Sequence, residues 1–321
     1  MCMSQQPRGG AMKVVSVVNY KGGVAKTTLT ANLGAGLAQR GYNVLLLDLD
    51  PQASLTYSFF SQAEFGDDLA SERTIKKWYD SPGRGRAVTR LADLVLTPRL
   101  VKPYLDGSFG HLDMIASHRS LLTVEALLTG AVDSRTGQVP ASKFVKVYRR
   151  LADGLADKVF AEYHYVLIDC PPNLHMMTKS AIVASNYLLV PSRPESLSTN
   201  GIDHLANEAY KMIDVYNTHA RNSVGLLKTP APVIKKPPIE VIFTMVQFVA
   251  GKPLDVQAAG ISRVQALGAP TYETLIRDRK AVYAAAPEKG VPAILHGMGE
   301  ARDELKQLID EFIERTERTS S

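Results

Sequence analysis

A run of apolar, largely β-branched residues, Lys13–Asn19 (KVVSVVN), leads through a pair of glycines into a Leu- and Ala-rich stretch, Thr27–Arg40, that stops at Gly41. The first run reads as a buried strand and the second as a helix closed by a C-terminal glycine. Between them lies Lys21-Gly22-Gly23-Val24-Ala25-Lys26-Thr27-Thr28. A helix leaves its first backbone N–H groups unpaired, so a strand–turn–helix passage of this kind offers a row of donors and a positive helix end to an anion. Gly22 and Gly23 let the backbone approach and turn around a polyphosphate. Lys26 can reach the β- and γ-phosphates, and the Thr27 hydroxyl can ligate Mg²⁺. The spacing departs from G-x-x-x-x-G-K-[ST], whose glycines would fall on Tyr20 and Ala25. It fits K-G-G-x-x-K-[ST], which carries an extra lysine at the start.

Further apolar runs follow: Asn43–Asp50 (NVLLLDLD), Tyr165–Asp169 (YVLID), Tyr187–Pro191, Glu240–Val246 and Thr271–Ile276. Helical stretches separate most of them. Continuous apolar strands alternating with helices predict an α/β fold, a doubly wound, mostly parallel sheet with helices on both faces. Such sheets bind ligands at the carboxyl ends of their strands, where Asp48, Asp50 and Asp169 fall. Residues 1–11 read as a flexible leader and 12–321 as one domain. Within it, 62–110 reads as an elaborated connection, and 228–238, with four prolines and three lysines, as an exposed basic loop.

Composition narrows the function. Apolar residues make up 45% and charged residues 21%, as in globular chains. Cys2 and Cys170 are the two cysteines, too few for an iron–sulfur cradle or a four-cysteine zinc site within one chain, and they fit a reducing cytoplasmic setting. The seven histidines show no metal-ligand spacing, and Trp78 and Tyr79 read as packing residues. No apolar run reaches the roughly 20 residues that span a bilayer. The net charge of +5 is uneven: Glu300–Ser321 holds seven acids and four bases, so that end is −3 and the rest +8.

The loop, together with LLLDLDPQASLT (45–56), YVLIDCPPN (165–173), LLVPSRPESLSTNGI (188–202) and LIRDRKAVYAAAPEKGVPA (275–293), resembles the ParA/MinD class of deviant-Walker P-loop ATPases, most nearly the short Soj-like ParA partition ATPases. The resemblance covers roughly residues 12–298. It implies Mg-ATP bound by Lys21, Gly22, Gly23, Val24, Ala25, Lys26, Thr27 and Thr28, with Pro194 and Met245 near the base. It implies Mg²⁺ held by Thr27 and Asp169, with Asp48 near the ion or buried as a structural carboxylate. Asp50 matches the aspartate that orients the attacking water. Lys21 matches the lysine that crosses to the partner's phosphates in an ATP-closed homodimer and neutralises charge on the γ-phosphoryl, as an arginine finger does. Ala25 stands where the family loop has glycine, and a methyl group there narrows backbone freedom. Nucleotide binding is expected to survive and hydrolysis to be slow.

The same resemblance implies nonspecific binding of double-stranded DNA, a nucleoid-associated location in the cytoplasm, and a ParB-like protein that stimulates hydrolysis. Such DNA binding needs cations opposite phosphates. Lys252, Arg279 and Lys280 match family regions of that kind, while the second family arginine falls on Val282. Arg263, Lys228, Lys235 and Lys236 are weaker candidates. A MinD-like membrane anchor would need a basic amphipathic C-terminal helix. Residues 300–317 have the apolar spacing, but their polar face is net acidic and anionic lipid would repel it. Packing on the body is the expectation, with no membrane partner. Two other readings stay open: a positioning ATPase of the same class acting on a protein assembly, and a non-hydrolysing, nucleotide-switched DNA-binding scaffold. The paired cysteines of the iron-protein relatives are missing. Lys21 and the C-terminal signature tell against a cobyrinate- or dethiobiotin-type synthetase.

Overall fold

Side chains along Val44–Asp48 alternate between two cores: Leu45 and Leu47 enter one, Val44 and Leu46 the other. Tyr165–Asp169 divides in the same way, with Val166 and Ile168 on the first side and Tyr165 and Leu167 on the second. A strand apolar on both faces has to be covered on both, which is the condition for a parallel sheet between helical layers. The computed structural model describes residues 11–61, 72–81, 88–124, 139–195, 198–227 and 229–318. Among these, six strands form one parallel sheet: β1 (Lys13–Val17), β2 (Val44–Asp48), β3 (Leu112–Ile115), β4 (Tyr165–Asp169), β5 (Tyr187–Ser192) and β6 (Ile239–Phe243). Their spatial order is β3-β2-β4-β1-β5-β6.

Among the described residues the helices include, in chain order, α1 (Lys26–Gln39), α2 (Ser54–Tyr57), α3 (Ile75–Asp80), α4 (Lys102–Leu105), α5 (Ala141–Leu155), α6 (Met176–Ala184), α7 (Ser198–Asn222), α8 (Asp255–Ala266), α9 (Lys280–Lys289), α10 (Ala293–His296) and α11 (Glu300–Arg318). Helices α5, α6 and α7 cover one face; α1, α10 and α11 cover the other. The apolar stripe of α11 is spent on the body: Leu305, Leu308, Ile309 and Phe312 are buried in the second core. Helix α1 comes close enough that a Cβ on Gly36 would sit 2.0 Å from the Ile309 Cδ1 atom. No helix among the described residues is long and apolar enough to cross a membrane.

Two strands differ from expectation. β3 was not read from the sequence, because it is four residues long and carries an aspartate. That residue, Asp113, is nearly buried and accepts the Tyr163 hydroxyl at 2.8 Å. In the other direction, Thr271–Ile276 is not a strand: one isolated parallel bridge, Val241↔Thr271, stands at its start, and another, Val246↔Arg277, just beyond its end. The N–H groups of Glu273 and Thr274 are turned to the Glu311 carboxylate at 2.8 and 3.0 Å, so the ladder beside β6 is broken in its middle.

Of the connection expected at 62–110, residues 62–71 and 82–87 lie outside the described residues, as do residues 1–10 of the expected leader and Lys228. Trp78 and Tyr79 are buried. Arg150 of α5 caps them: its guanidinium lies 4.6 Å from the Trp78 ring centre and donates to the Tyr79 carbonyl at 3.0 Å. The loop through Lys235 and Lys236 is held by Asn217, whose amide donates to the Ile234 carbonyl at 2.9 Å and whose oxygen accepts the Ile234 N–H at 2.8 Å.

Candidate nucleotide site

The strand order decides which carboxylates meet. β4 lies between β2 and β1, so Asp169 is level with Asp48 on one side and with Val17, the last residue of β1, on the other. The turn then enters α1 through Ala25, which has φ 64° and ψ 26°, a left-handed conformation. Gly23 is also left-handed, with φ +68°. Thr244, at the end of β6, holds the turn by donating to the Val24 carbonyl at 3.0 Å. Asn19 holds its start: the side-chain amide donates to the Pro191 carbonyl at 2.7 Å and the side-chain oxygen accepts the Lys21 N–H at 2.9 Å. Tyr20, at the first glycine position of the standard pattern, stacks on His204 of α7. Neither Thr244 nor Asn19 belongs to the loop pattern; the one signal the sequence carries is that Asn19 is a polar residue closing an apolar strand next to the glycines.

Lys26 is nearly buried, and its ammonium donates to the Lys21 carbonyl at 3.2 Å. Burial lowers its pKa, and the charges of Asp169 and Asp50 oppose that shift. The Thr27 hydroxyl donates to Asp169 Oδ2 at 2.7 Å. Asp169 is fully buried, and its other oxygen, Oδ1, has no hydrogen-bond partner. Burial raises its pKa well above the ordinary carboxylate value, and the neighbouring Asp48 adds to the rise. A buried carboxylate oxygen without a partner is costly unless something takes it up. Divalent cations take oxygen ligands, and Thr27 Oγ1 and Asp169 Oδ1 suit one. Among the described residues no three His, Cys, Asp or Glu side chains gather as a metal cluster, so the remaining ligands would come from a nucleotide or water.

Asp48 is committed elsewhere. Oδ1 accepts the Asp50 N–H at 3.1 Å, and Oδ2 accepts both the N–H and the hydroxyl of Thr56 at 2.8 Å. Both of its oxygens are thus engaged inside the fold. Its pKa is pushed up to about 7 by burial. Asp50 is half-buried, and its Oδ1 accepts the Gln52 N–H at 2.9 Å.

Lys21 is half exposed at the mouth of the turn and ion-paired with Glu195. Beside the turn opens a cavity of about 370 Å³ lined by Gly23, Ala25, Thr28, Met245, Ile276 and Tyr283, among others. Its surface is largely apolar, Met245 is in its wall, and Arg277, Asp278, Arg279 and Lys280 also line it. Pro194 is not in that wall. It is buried, and its carbonyl oxygen lies 2.6 Å from the position a Cβ on Gly260 would take, so it packs on α8.

The DNA candidates divide. Lys252, Arg263 and Lys280 are exposed. Lys252 belongs to a small hairpin, β7 (Phe248–Val249) and β8 (Lys252–Pro253), which rests on Arg277 through Phe248, 4.3 Å from the guanidinium. Arg279, expected to be available, is bound to Glu300 and lies 3.5 Å from Glu304. The acidic first turn of α11 has claimed it. Lys236 is likewise held by Asp214 at 2.7 Å.

A lysine on each side of the glycines, over a threonine paired with a strand-end aspartate, is the mark of one class, the deviant-Walker P-loop ATPases of the ParA/MinD kind. The chain belongs to the AAA_31 family, described as an AAA domain, whose model matches residues 12–221. Relatives include a ParA family protein of Chlamydia pneumoniae, 32% identical over 61% of this chain and 64% of its own length. The chromosome partitioning protein ParA of Caulobacter vibrioides is 32% identical over 60% of this chain and 61% of its own. The chain covers 48% of a relative from Rhizobium rhizogenes and 62% of one from Methanocaldococcus jannaschii, so it spans about half to two thirds of their lengths. Among solved structures, a Cyanothece McdA(D38A)–ATP complex superposes with a TM-score of 0.64 at 18% identity, covering 95% of this chain and 97% of that one. A plasmid partition protein from Borrelia burgdorferi gives 0.61 at 18%, covering 95% and 100%. Mycobacterium smegmatis cobyrinic acid a,c-diamide synthase, solved with ADP and magnesium, gives 0.57 at 21%, covering 86% and 91%. These likenesses show the shared fold.

Proposed function

We propose that this is a ParA-type positioning ATPase that binds Mg-ATP, closes as a homodimer, and in that state holds nonspecific double-stranded DNA until a ParB-like partner stimulates hydrolysis. The observation that carries the reading is the division of labour between the two loop lysines. Lys26 is buried against its own turn, whereas Lys21 stands half exposed at the mouth, where a second subunit would meet it. Lys26 and the turn's N–H groups would bind the polyphosphate, and Thr27 and Asp169 would hold Mg²⁺. The ion, when bound, supplies charge neutralisation at the phosphates. Asp50 would orient the attacking water, and Lys21 would place its charge on the partner's γ-phosphoryl. The cavity beside the turn would take the base.

DNA binding is assigned to Lys252, Arg263 and Lys280, without Arg279. The protein would then be cytoplasmic and nucleoid-associated. The kinship with partition proteins supports this, and the burial of α11's apolar stripe leaves that stripe nothing to offer a membrane. The experiment is the ATPase rate and DNA retention of wild type, Lys21→Ala and Asp50→Ala, with and without nonspecific duplex, across salt. Wild type should retain DNA only with ATP and lose it steeply as salt rises. Asp50→Ala should bind ATP and stay on DNA, and Lys21→Ala should lose hydrolysis. ATP-independent or salt-insensitive retention would overturn the reading.

A further inference from the structure

Strand β3 leads to a buried hydrogen-bonded ring around Asp50. Ile115 is level with Leu47, so Ala116 and Ser117 continue beside the chain that leaves β2. Ser117 is fully buried. Its N–H donates to the Thr56 hydroxyl at 3.0 Å, and Thr56 donates in turn to Asp48 Oδ2 at 2.8 Å. Asp48 Oδ1 accepts the Asp50 N–H at 3.1 Å. The Ser117 hydroxyl closes the circuit by donating to the Asp50 carbonyl at 2.7 Å. Both polar groups of the Asp50 backbone are therefore held: the N–H by Asp48, and the carbonyl by the Ser117 hydroxyl together with the Ala53 N–H at 2.8 Å, of which Ser117 alone ties Asp50 to a distant segment of the chain. Asp48, Thr56 and Ser117 are all closed to solvent, where a hydrogen bond is stronger and a missing one is not replaced by water.

We propose that Ser117 is a positioning residue for the hydrolytic step: it fixes the Asp50 backbone and thereby the direction in which the Asp50 carboxylate meets the attacking water. This rests on the assignment of Asp50 as the residue that orients that water. Ser117 would act through Asp50 and not on the nucleotide. Its removal leaves the phosphate turn, Thr27 and Asp169 untouched, so the defect should fall on turnover and spare binding. Small misplacements of an orienting group cost rate out of proportion to their size.

The test measures single-turnover hydrolysis of ATP and the nucleotide Kd for wild type, Ser117→Ala, Asp50→Ala and Ser180→Ala. Ser180 of α6 is a matched control, since it too is fully buried and donates to a backbone carbonyl, that of Tyr148 at 3.1 Å, away from the site. Ser117→Ala should lower the hydrolysis rate roughly ten-fold or more with Kd changed less than about two-fold. Ser180→Ala should lose a similar increment of Tm and keep its rate. A full rate in Ser117→Ala, with Asp50→Ala inactive, overturns the role of Ser117 alone. Equal rate losses in Ser117→Ala and Ser180→Ala also overturn it, because the effect would then be general destabilisation. Undiminished turnover in Asp50→Ala overturns the assignment of Asp50 and this one with it.

Discussion

Replacing Ala25 by glycine should make the protein more stable, although it removes an atom. Ala25 opens α1 at φ 64° and ψ 26°. In that region the Cβ of an L-residue crowds the following carbonyl, at a cost of about 1–2 kcal/mol. Glycine escapes the clash but loses about 0.5–1 kcal/mol through its greater freedom when unfolded. The balance favours Ala25→Gly by about 0.5–1 kcal/mol. With an unfolding entropy of about 2.1 cal/mol/K per residue over a chain of this length, that is a rise in Tm of only about 1 °C. Urea denaturation without nucleotide is therefore the better assay, read as a shift in midpoint at constant m. Gly23 supplies the reverse experiment. It has φ +68°, and nothing lies within 4 Å of an added Cβ, so Gly23→Ala should destabilise by the same mechanism with no packing clash to confuse it. Ala25→Gly that is neutral or destabilising, while Gly23→Ala lowers stability, would refute the reasoning. ATP turnover is measured in parallel. If the methyl group slows hydrolysis, turnover rises in Ala25→Gly, and an unchanged rate removes that idea.

The remaining predictions concern other parts of the chain. Gly36→Ala should destabilise by about 1–3 kcal/mol, because the added carbon would meet Ile309 and force α1 and α11 apart; equilibrium denaturation measures it. Arg315→Met should cost about 3 kcal/mol, since Glu240, only 8% exposed, would lose the guanidinium at 2.7 Å that balances it. Glu311 accepts the N–H groups of Glu273 and Thr274, and although its burial acts in the other direction these bonds help hold its carboxyl below the usual glutamate value. A lowered folded pKa gives stability that is present above the unfolded value of about 4.5 and lost as pH falls, so the Tm gap between wild type and Glu311→Gln should be full at pH 6 and shrink toward pH 3. Lys21→Ala should remove hydrolysis while changing stability by less than about 1 kcal/mol, because its ion pair with Glu195 is half exposed; a large fall in the denaturation midpoint would mean that the lysine is structural.

What the amino-acid sequence determined by itself is what local chemistry determines. The glycines, lysines and threonines of residues 21–28 announce an anion-binding turn wherever they stand between strand and helix, because the donors are the turn's own backbone. The unbroken apolar runs at Val44–Asp48 and Tyr165–Asp169 announce a sheet covered on both faces, since no one-sided sheet would hide them. Only the tertiary structure decided which carboxylates meet. Asp48 and Asp169 are level because β4 inserts between β2 and β1, a pairing over more than a hundred residues that no local pattern encodes. It also decided how each is bonded, leaving one buried oxygen of Asp169 without a hydrogen-bond partner and engaging both oxygens of Asp48 with Asp50 and Thr56. The same is true of charge. Arg279 and Lys280 are adjacent cations in the sequence, yet the acids of α11 neutralise one and leave the other exposed. A charge acts through what faces it, and what faces it is set by packing between distant segments.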